Sequence, residues 1–331
     1  MEKEPTIGDT LSSRGVSRRE FVKFCGLISA TLGLTGQSSR VIAQTLAATS
    51  RLPVIWLEFQ DCTGDSESFT RAYQRPDPVI SGTNDPSITS LLLDVVSVDY
   101  HETLMTPSGF NAERSRQQTM ENYPGQYLCI VEGSIPTGNG GVYCCIGGRT
   151  AMSIVQEVIQ NARATIALGT CAWDGGLAGA APNPTGAVGV RQAVPGVPNL
   201  LVLPGCPANV VNLVASLVYL LTYNTWPSRN SNGLPSFAYG EDIHDECPRE
   251  HFYENGQFVQ AWGDEAHRKG WCLYKMGCRG PVTHANCPKV KWNEGQCWPV
   301  QAGHGCVGCT TSGFWDQMSP FYISLPEEPD N

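Results

Sequence analysis

Cysteine is the residue type in this sequence with the clearest chemical meaning. Fourteen of the 331 residues are cysteine, and several stand in close pairs, as in Cys306-Val307-Gly308-Cys309 and His244-Asp245-Glu246-Cys247. Thiolate and imidazole groups at such spacings are typical ligands of iron-sulfur clusters or zinc. Small disulfide-linked proteins instead spread their cysteines through short loops. We therefore expect bound metal, and electron transfer as the leading chemistry.

Three cysteines in the first two-thirds of the chain each follow a predicted strand. The carboxyl ends of parallel strands share one edge of a sheet, where ligands bind. Three thiolates that are far apart in sequence are therefore expected to converge on one cluster. We also expect a helix that begins near Ser66-Glu67 to point its first amides at that anionic cluster. The cysteines are Cys62 after Pro53–Phe59, Cys171 after Thr165–Leu168, and Cys206 after Leu200–Leu203.

The fourth ligand of this predicted cluster is expected to be a carboxylate. A Cys-x-x-Cys pair would place a second thiolate at position 65, but the chain has Asp65 there. A carboxylate is a harder and weaker donor to iron than sulfur, so it should shift the potential of the cluster. The alternative for Asp65 is a solvent-facing helix N-cap. Competing ligands are Asp61, Asp174 and the Cys144-Cys145 pair.

The last hundred residues hold two more groups of ligands. The first comprises His244, Cys247, Cys272 and Cys278, and the second Cys287, Cys306 and Cys309. Three thiolates without a fourth suit a [3Fe-4S] cluster. Cys297 keeps a [4Fe-4S] cluster open for the second group. Structural zinc is the other alternative, because three cysteines and a histidine also form a zinc set.

The apolar pattern predicts the elements that position these ligands. Further strands are expected over Leu91–Val98 and Gln126–Val131, with a helix over Met152–Ala162. This alternation predicts an α/β fold with a flavodoxin-like parallel sheet. After about residue 225 the strand pattern fades, and a smaller, mostly irregular or helical domain held by metal is expected. The predicted domains are residues 49–225 and 226–331, preceded by a segment over residues 1–48.

Residues 1–48 resemble a twin-arginine export signal. Arg18 and Arg19 precede an apolar stretch over Phe24–Leu34, and small residues between Ala43 and Ala48 offer a cleavage site. The alternative is a basic pair on an ordinary helix. The apolar stretch is too short to span a bilayer. We expect a protein exported already folded to the periplasm or to the outer face of the cytoplasmic membrane, with no transmembrane helix of its own.

Charge and composition exclude one large class of partner. The formal net charge is −9, and the 22 basic residues form no long run. A protein that binds nucleic acid needs a basic patch. We therefore expect no nucleic-acid partner.

In the order of its motifs, the chain resembles the small subunit of exported, uptake-type [NiFe] hydrogenases. Singly the motifs are weak, but in this order they are specific. The motifs are Ser17-Arg18-Arg19-Glu20-Phe21, Cys62-Thr63-Gly64, Asp99-Tyr100-His101-Glu102-Thr103, Glu132-Gly133-Ser134-Ile135-Pro136, Gly169-Thr170-Cys171-Ala172, Pro204-Gly205-Cys206-Pro207, Lys269-Gly270-Trp271-Cys272, and Gly305-Cys306-Val307-Gly308-Cys309.

The resemblance implies two [4Fe-4S] clusters and one [3Fe-4S] cluster. The proximal [4Fe-4S] would lie on Cys62, Asp65, Cys171 and Cys206. The distal [4Fe-4S] would lie on the His244 group and the medial [3Fe-4S] on the Cys287 group. It also implies a large subunit that holds the nickel-iron centre, so that no catalytic residue is expected here. A cytochrome b or another membrane redox subunit would accept the electrons.

The chain departs from the family pattern at the proximal site and at its end. Asp65 stands where most members have cysteine, which resembles some hydrogenases of the actinobacterial type. Gly64 and Gly176 stand where the oxygen-tolerant branch has additional cysteines, and we expect no counterpart of the C-terminal membrane helix of the membrane-bound members. Two alternatives stay open: an iron-sulfur subunit of a related complex that does not use hydrogen, and a zinc-stapled binding module.

Overall fold

A computed structural model describes residues 5–13, 15–71, 96–292 and 295–324. The chain divides into two compact units, Met1–Phe237 and Ala238–Asn331. The first unit contains the sheet, and the second contains short helices and loops.

The first unit is built on a five-stranded parallel sheet of β1 Leu52–Glu58, β2 Val96–His101, β3 Leu128–Glu132, β7 Ala164–Leu168 and β9 Leu200–Leu203. The strand order is β2-β1-β3-β7-β9. This order is that of flavodoxin-like folds, in which ligands bind beyond the carboxyl ends of the strands. The predicted α/β class is therefore confirmed. Part of the strand predicted over Leu91–Val98 lies outside the described residues.

Helices cover the sheet because its strands are apolar on both faces. Every residue of β3, β7 and β9 is buried, as expected for a parallel sheet between two helical layers. Two short antiparallel pairs lie in the connections: β4 Ile135–Pro136 with β8 Ala187–Val188, and β5 Cys145–Ile146 with β6 Arg149–Thr150. The helices that follow β1 are α4 Gly64–Arg71, α5 Phe110–Asn122, α6 Ala151–Gln160, α7 Gly169–Asp174, α8 Gly176–Gly179, α9 Val190–Ala193 and α10 Val210–Tyr223.

Three helices precede the sheet: α1 Ile7–Ser13, α2 Arg18–Thr31 and α3 Gly36–Ala48. Helix α2 begins at the twin-arginine motif for a local reason. Ser17 and Glu20 form a reciprocal capping box, in which each side chain accepts a backbone N–H of the other residue. Arg18 and Arg19 therefore lie exposed in the first turn of α2.

The second unit has short elements, as its composition predicts. Helix α11 Ser236–Tyr239 crosses the boundary, and the other helices are α12 Glu250–Glu254, α13 Glu265–Arg268, α14 Cys287–Val290 and α15 Phe314–Gln317. Turns of 3-10 helix span Tyr274–Met276 and Gly280–Val282. Among the described residues of the whole chain, no helix combines the length and apolarity that a membrane crossing requires.

Candidate metal centres

The three predicted proximal cysteines follow three strands of one sheet, in which β7 and β9 are neighbours and β3 lies between β1 and β7. Cys62 follows β1, Cys171 lies in α7 directly after β7, and Cys206 follows β9. The loops of the last two are joined, since the Thr170 N–H donates to the Gly205 carbonyl at 2.8 Å and the Gly205 N–H donates to Thr170 Oγ1 at 3.0 Å. Burial raises the pKa of Cys171 to about 12, and nearby Asp65 and Cys62 add to the rise.

Asp65 lies among these same loops. One carboxylate oxygen accepts the Ala208 N–H at 2.5 Å, two residues beyond Cys206. The other lies so close to Gly169 that a Cβ atom there would be 2.0 Å away. Gly169 has φ +81° and no side chain, and it therefore leaves room for the carboxylate beside the turn of Cys171. Asp65 is 9% exposed, so the alternative of a solvent-facing N-cap is wrong.

The carboxylates at this edge repel one another. Burial and the charge of Glu132 raise the pKa of Asp65 to about 8. Burial also raises the pKa of Asp61 to about 6, with contributions from Glu132 and Glu58. The carboxylates of Glu58, Asp61 and Glu132 lie within 4.8 Å of one another. An iron ion coordinated by Asp65 would offset the charge of that carboxylate.

Glu132 is a residue of this site that the pattern did not identify. It ends β3 and is fully buried. One carboxylate oxygen accepts the N–H groups of Asp65 and Ser66 at 3.0 and 3.2 Å. The other accepts Trp56 Nε1 at 3.0 Å and Ser66 Oγ at 2.5 Å. Helix α4 begins at Gly64, and two of its first amides face Glu132, which corrects the prediction that these amides face the cluster.

The competing ligands differ in what they contact. Asp174 accepts the Gly176 N–H at 3.0 Å, which ties it to its own loop. Cys144 is half-buried and Cys145 is exposed, on the short β5–β6 hairpin. The buried Cys129 of β3 is a packing residue, as its place within a strand suggests. Asp65, by contrast, contacts the loops of both Cys171 and Cys206.

In the second unit, the four predicted distal ligands line one pocket. His244, Cys247, Cys272 and Cys278 share it with Arg249 and other residues. Burial raises the pKa of all three thiols, that of Cys272 to about 11, and each thiol interacts electrostatically with another of the three. Four ligand side chains around one pocket have the composition that a cluster with three thiolates and an imidazole needs.

Two arginines lie beside the ligands of this unit. Arg249 lines the pocket and donates to the Trp271 carbonyl at 3.0 Å. Burial lowers its pKa, while the thiols of Cys247, Cys272 and Cys278 oppose that shift. Arg279 is 3% exposed and donates to the carbonyls of Met318, Pro320 and Ile323. The sequence pattern did not identify either arginine as part of these sites, because the fold, and not a short spacing motif, brings each one beside the ligands.

The three predicted medial ligands also interact with one another. Burial raises the pKa of Cys287 to about 12 and that of Cys306 well above its usual value, with Cys309 contributing to both. The Cys306 N–H donates to Cys278 Sγ at 3.2 Å, so the distal and medial groups adjoin. The backbones of Cys297 and Trp292 pair in an isolated antiparallel β-bridge. The side chain of Trp292 hydrogen-bonds the Cys287 thiol.

The donor sets fit iron-sulfur clusters. In the described part of the chain, the cysteines of both units form no disulfides. The thiols of Cys171 and of both groups in the second unit are buried or half-buried, and their deprotonated forms need a cation nearby. Bound iron supplies that charge, because coordinated thiols are deprotonated.

Two family models match the chain in succession. The model of the 20 Kd subunit of NADH ubiquinone oxidoreductase matches residues 62–220. The model of the C-terminal part of the NiFe/NiFeSe hydrogenase small subunit matches residues 239–322. The two matches cover four of the five sheet strands, all but β1, and the ligand groups of the second unit.

Curated relatives and solved structures agree with these models. Small subunit 1 of the periplasmic [NiFe] hydrogenase of Nitratidesulfovibrio vulgaris is 44% identical over 96% of each chain. The small chain of the quinone-reactive Ni/Fe-hydrogenase of Wolinella succinogenes is 41% identical over 96% of this chain and 86% of its own. The [NiFeSe]-hydrogenase of Desulfomicrobium baculatum superposes with a TM-score of 0.74 at 32% identity, over 84% of this chain and all of that one. The chain therefore belongs to the [NiFe] hydrogenase small subunits, the iron-sulfur electron-transfer chains of heterodimeric hydrogenases.

Proposed function

We propose that this small subunit binds three clusters through the residues assembled above. Cys62, Asp65, Cys171 and Cys206 would hold a proximal [4Fe-4S] cluster. The two groups of the second unit would hold a distal [4Fe-4S] cluster on His244, Cys247, Cys272 and Cys278, and a medial [3Fe-4S] cluster on Cys287, Cys306 and Cys309.

The observation that carries the proposal is the meeting of separate loops at Asp65. Its carboxylate contacts the loop of Cys206 through the Ala208 N–H and the loop of Cys171 at Gly169. It stands three residues after Cys62, in the first turn of α4. Those contacts favour Asp65 over Asp174 as the fourth ligand.

Residues of this chain would hold the clusters and adjust their reduction potentials. Iron-sulfur clusters, when bound, take up and release single electrons. Glu132 fixes the loop between Cys62 and α4, and Arg249 supplies a cation beside the distal thiols. Hydrogen bonds to sulfur from the Arg249 and Gly308 N–H groups, at 3.4 Å each, stabilise the thiolate form and raise the potential.

The large subunit supplies the nickel-iron centre, and this chain carries electrons away from it. Cys62 and Cys206 are exposed at the edge of the sheet. We infer that this edge faces the large subunit, because an obligate interface would cover the exposed thiols.

The quinone-reactive relative supports a membrane redox subunit, such as a cytochrome b, as the electron acceptor. The motif at Arg18 and Arg19 and the periplasmic relative support export by the twin-arginine route.

Low-temperature EPR with iron, nickel and sulfide analysis on the purified heterodimer tests the cluster assignment. We expect a [3Fe-4S] signal in the oxidised protein and nickel in the partner. The matched variants are Cys309→Ser and Cys297→Ser, since both replace a half-buried thiol in the same unit. Loss of the signal in Cys309→Ser alone supports the medial set. Loss in Cys297→Ser would contradict it, and zinc without sulfide would contradict all three clusters.

A further inference from the structure

The N-terminal helices pack onto the folded α/β unit. Helices α2 and α3 contact each other, and both contact α10. Their inward side chains are removed from solvent: Phe24, Ile28, Ile42 and Leu46 are each at most 1% exposed. On the same helices, Leu27 and Val41 are 47% and 45% exposed. The segment is therefore an amphipathic cover with one face against the protein.

Helix α10 has the composition of a helix that must be covered on several sides. Its residues 212–218 are all buried, which amounts to two turns without a solvent-facing position. A helix that is apolar all round is stable only when other elements surround it. Helices α2 and α3 cover part of α10, so removal of residues 1–48 would expose apolar surface on α10.

The junction after α3 is also fixed. The Ile7 N–H donates to the Thr49 carbonyl at 2.8 Å, and Thr6 pairs with Ser50. Gly8 packs so tightly that a Cβ atom there would be 2.7 Å from the Ala47 carbonyl. The small residues from Ala43 to Ala48 thus lie in a helix pinned at its end. Proteases require an accessible, flexible chain, and a pinned helix withholds it.

We propose that residues 6–48 form a releasable intramolecular cover: docking on α10 presents Arg18 and Arg19 to the export machinery, while the apolar stretch and the cleavage region stay withheld until the segment is released. The docking site exists only once the α/β unit has folded. Presentation of the signal is thereby coupled to completion of the subunit. This inference rests on the proposed export function.

Cys25 provides a direct readout of docking. It is fully buried, and burial raises the pKa of its thiol to about 12, so the docked segment should resist alkylation. Cys145 is exposed in the same chain and serves as the internal reference. The experiment alkylates the full-length precursor, purified with its large subunit from cells that lack the twin-arginine translocon. Modification of each cysteine is followed by peptide mass spectrometry.

Ile42→Asp and Val41→Asp form a matched pair. Each introduces one carboxylate at neighbouring positions of α3, the first buried and the second exposed. We expect Ile42→Asp to speed Cys25 alkylation by about tenfold or more and Val41→Asp to change it less than about twofold. Equal effects, or a Cys25 as reactive as Cys145 in the unchanged precursor, would overturn the proposal. Unchanged iron content in Ile42→Asp shows that the rest of the subunit has folded.

Two further measurements separate docking from export. Amide exchange over residues 210–221 should be slower in the precursor than in the processed subunit, and equal rates count against docking. Replacing Arg18 and Arg19 with lysine should stop export and leave Cys25 protected. Continued export of that variant would contradict the signal assignment alone, since docking is judged on Cys25.

Discussion

At the scale of single residues, Asp65 is the feature that distinguishes the proposed proximal site. We expect Asp65→Cys to lower the potential of the proximal cluster, because a thiolate donates more electron density to iron than a carboxylate does. The shift should be on the order of 100 mV, the scale on which ligand exchange moves iron-sulfur potentials. EPR-monitored redox titration of the heterodimer measures it.

Asp174→Asn is the control for this exchange. The amide oxygen can still accept the Gly176 N–H that Asp174 accepts at 3.0 Å, so the loop keeps its geometry while it loses a charge. We expect the proximal potential to change little. A large shift in Asp174→Asn together with none in Asp65→Cys would transfer the ligand role to Asp174.

Gly176 shows why an additional cysteine does not fit this chain unaltered. A Cβ atom at Gly176 would be 2.5 Å from Cys171 Sγ, and the backbone has φ +53°. We expect Gly176→Ala to displace the Cys171 thiol and to reduce the proximal cluster signal. Gly148→Ala separates the two causes, since Gly148 has φ +80° with nothing within 4 Å. That control should cost only about 1–2 kcal/mol of stability and leave the signal intact; an intact signal in Gly176→Ala would contradict the steric argument.

At the scale of elements, the apolar runs predicted the sheet well. The strand Leu200–Leu203 has the predicted bounds, and the helix predicted over Met152–Ala162 spans Ala151–Gln160. Burial on both faces leaves continuous apolar runs, and these are readable locally. The packing of α2 and α3 on α10 was not predicted, because an amphipathic helix does not specify which surface it will cover.

The candidate site was predictable where residue type carries the chemistry. Cysteine is a rare residue type, and the positions of Cys62 and Cys171 after predicted strands identify them as candidate ligands. A carboxylate is common, and only the contacts of Asp65 with Ala208 and Gly169 separate it from Asp61 and Asp174. Glu132 escaped prediction because its partners are the amides of a helix 66 and 67 positions away in sequence.

Arg279 ties the loops of the second unit together. Its N–H donates to the Cys306 carbonyl at 2.7 Å, and its guanidinium donates to three carbonyls between residues 318 and 323. We expect Arg279→Met to leave these carbonyls without their buried donor and to cost about 2–4 kcal/mol. The medial and distal signals should broaden together, and residues 318–323 should become sensitive to proteolysis.

Arg268→Met is the matched control, because the exposed Arg268 also donates to a backbone carbonyl, that of Gly263. A surface exchange of this kind should change stability by less than about 0.5 kcal/mol. Equal losses in the two variants would show that charge, rather than the buried hydrogen bonds of Arg279, supports the unit.

At the scale of the whole molecule, the chemistry divides between two chains. The large subunit splits hydrogen, and this subunit relays the electrons. An assay that needs only the partner's centre should therefore be independent of the ligands in this chain. Exchange between H2 and D2O is such an assay, whereas reduction of an external acceptor requires the complete relay.

His244→Ala tests that division, because it removes the imidazole from the distal pocket and leaves the partner unchanged. We expect acceptor reduction to fall sharply while isotope exchange persists, since the electron exit is impaired and the hydrogen-splitting centre is not. His251→Ala is the control: His251 is an exposed histidine seven residues along the chain and packs on Phe252. Both activities should survive in that variant. Loss of exchange in His244→Ala would mean that this subunit does more than conduct, because only a centre that depends on the distal ligands would then fail.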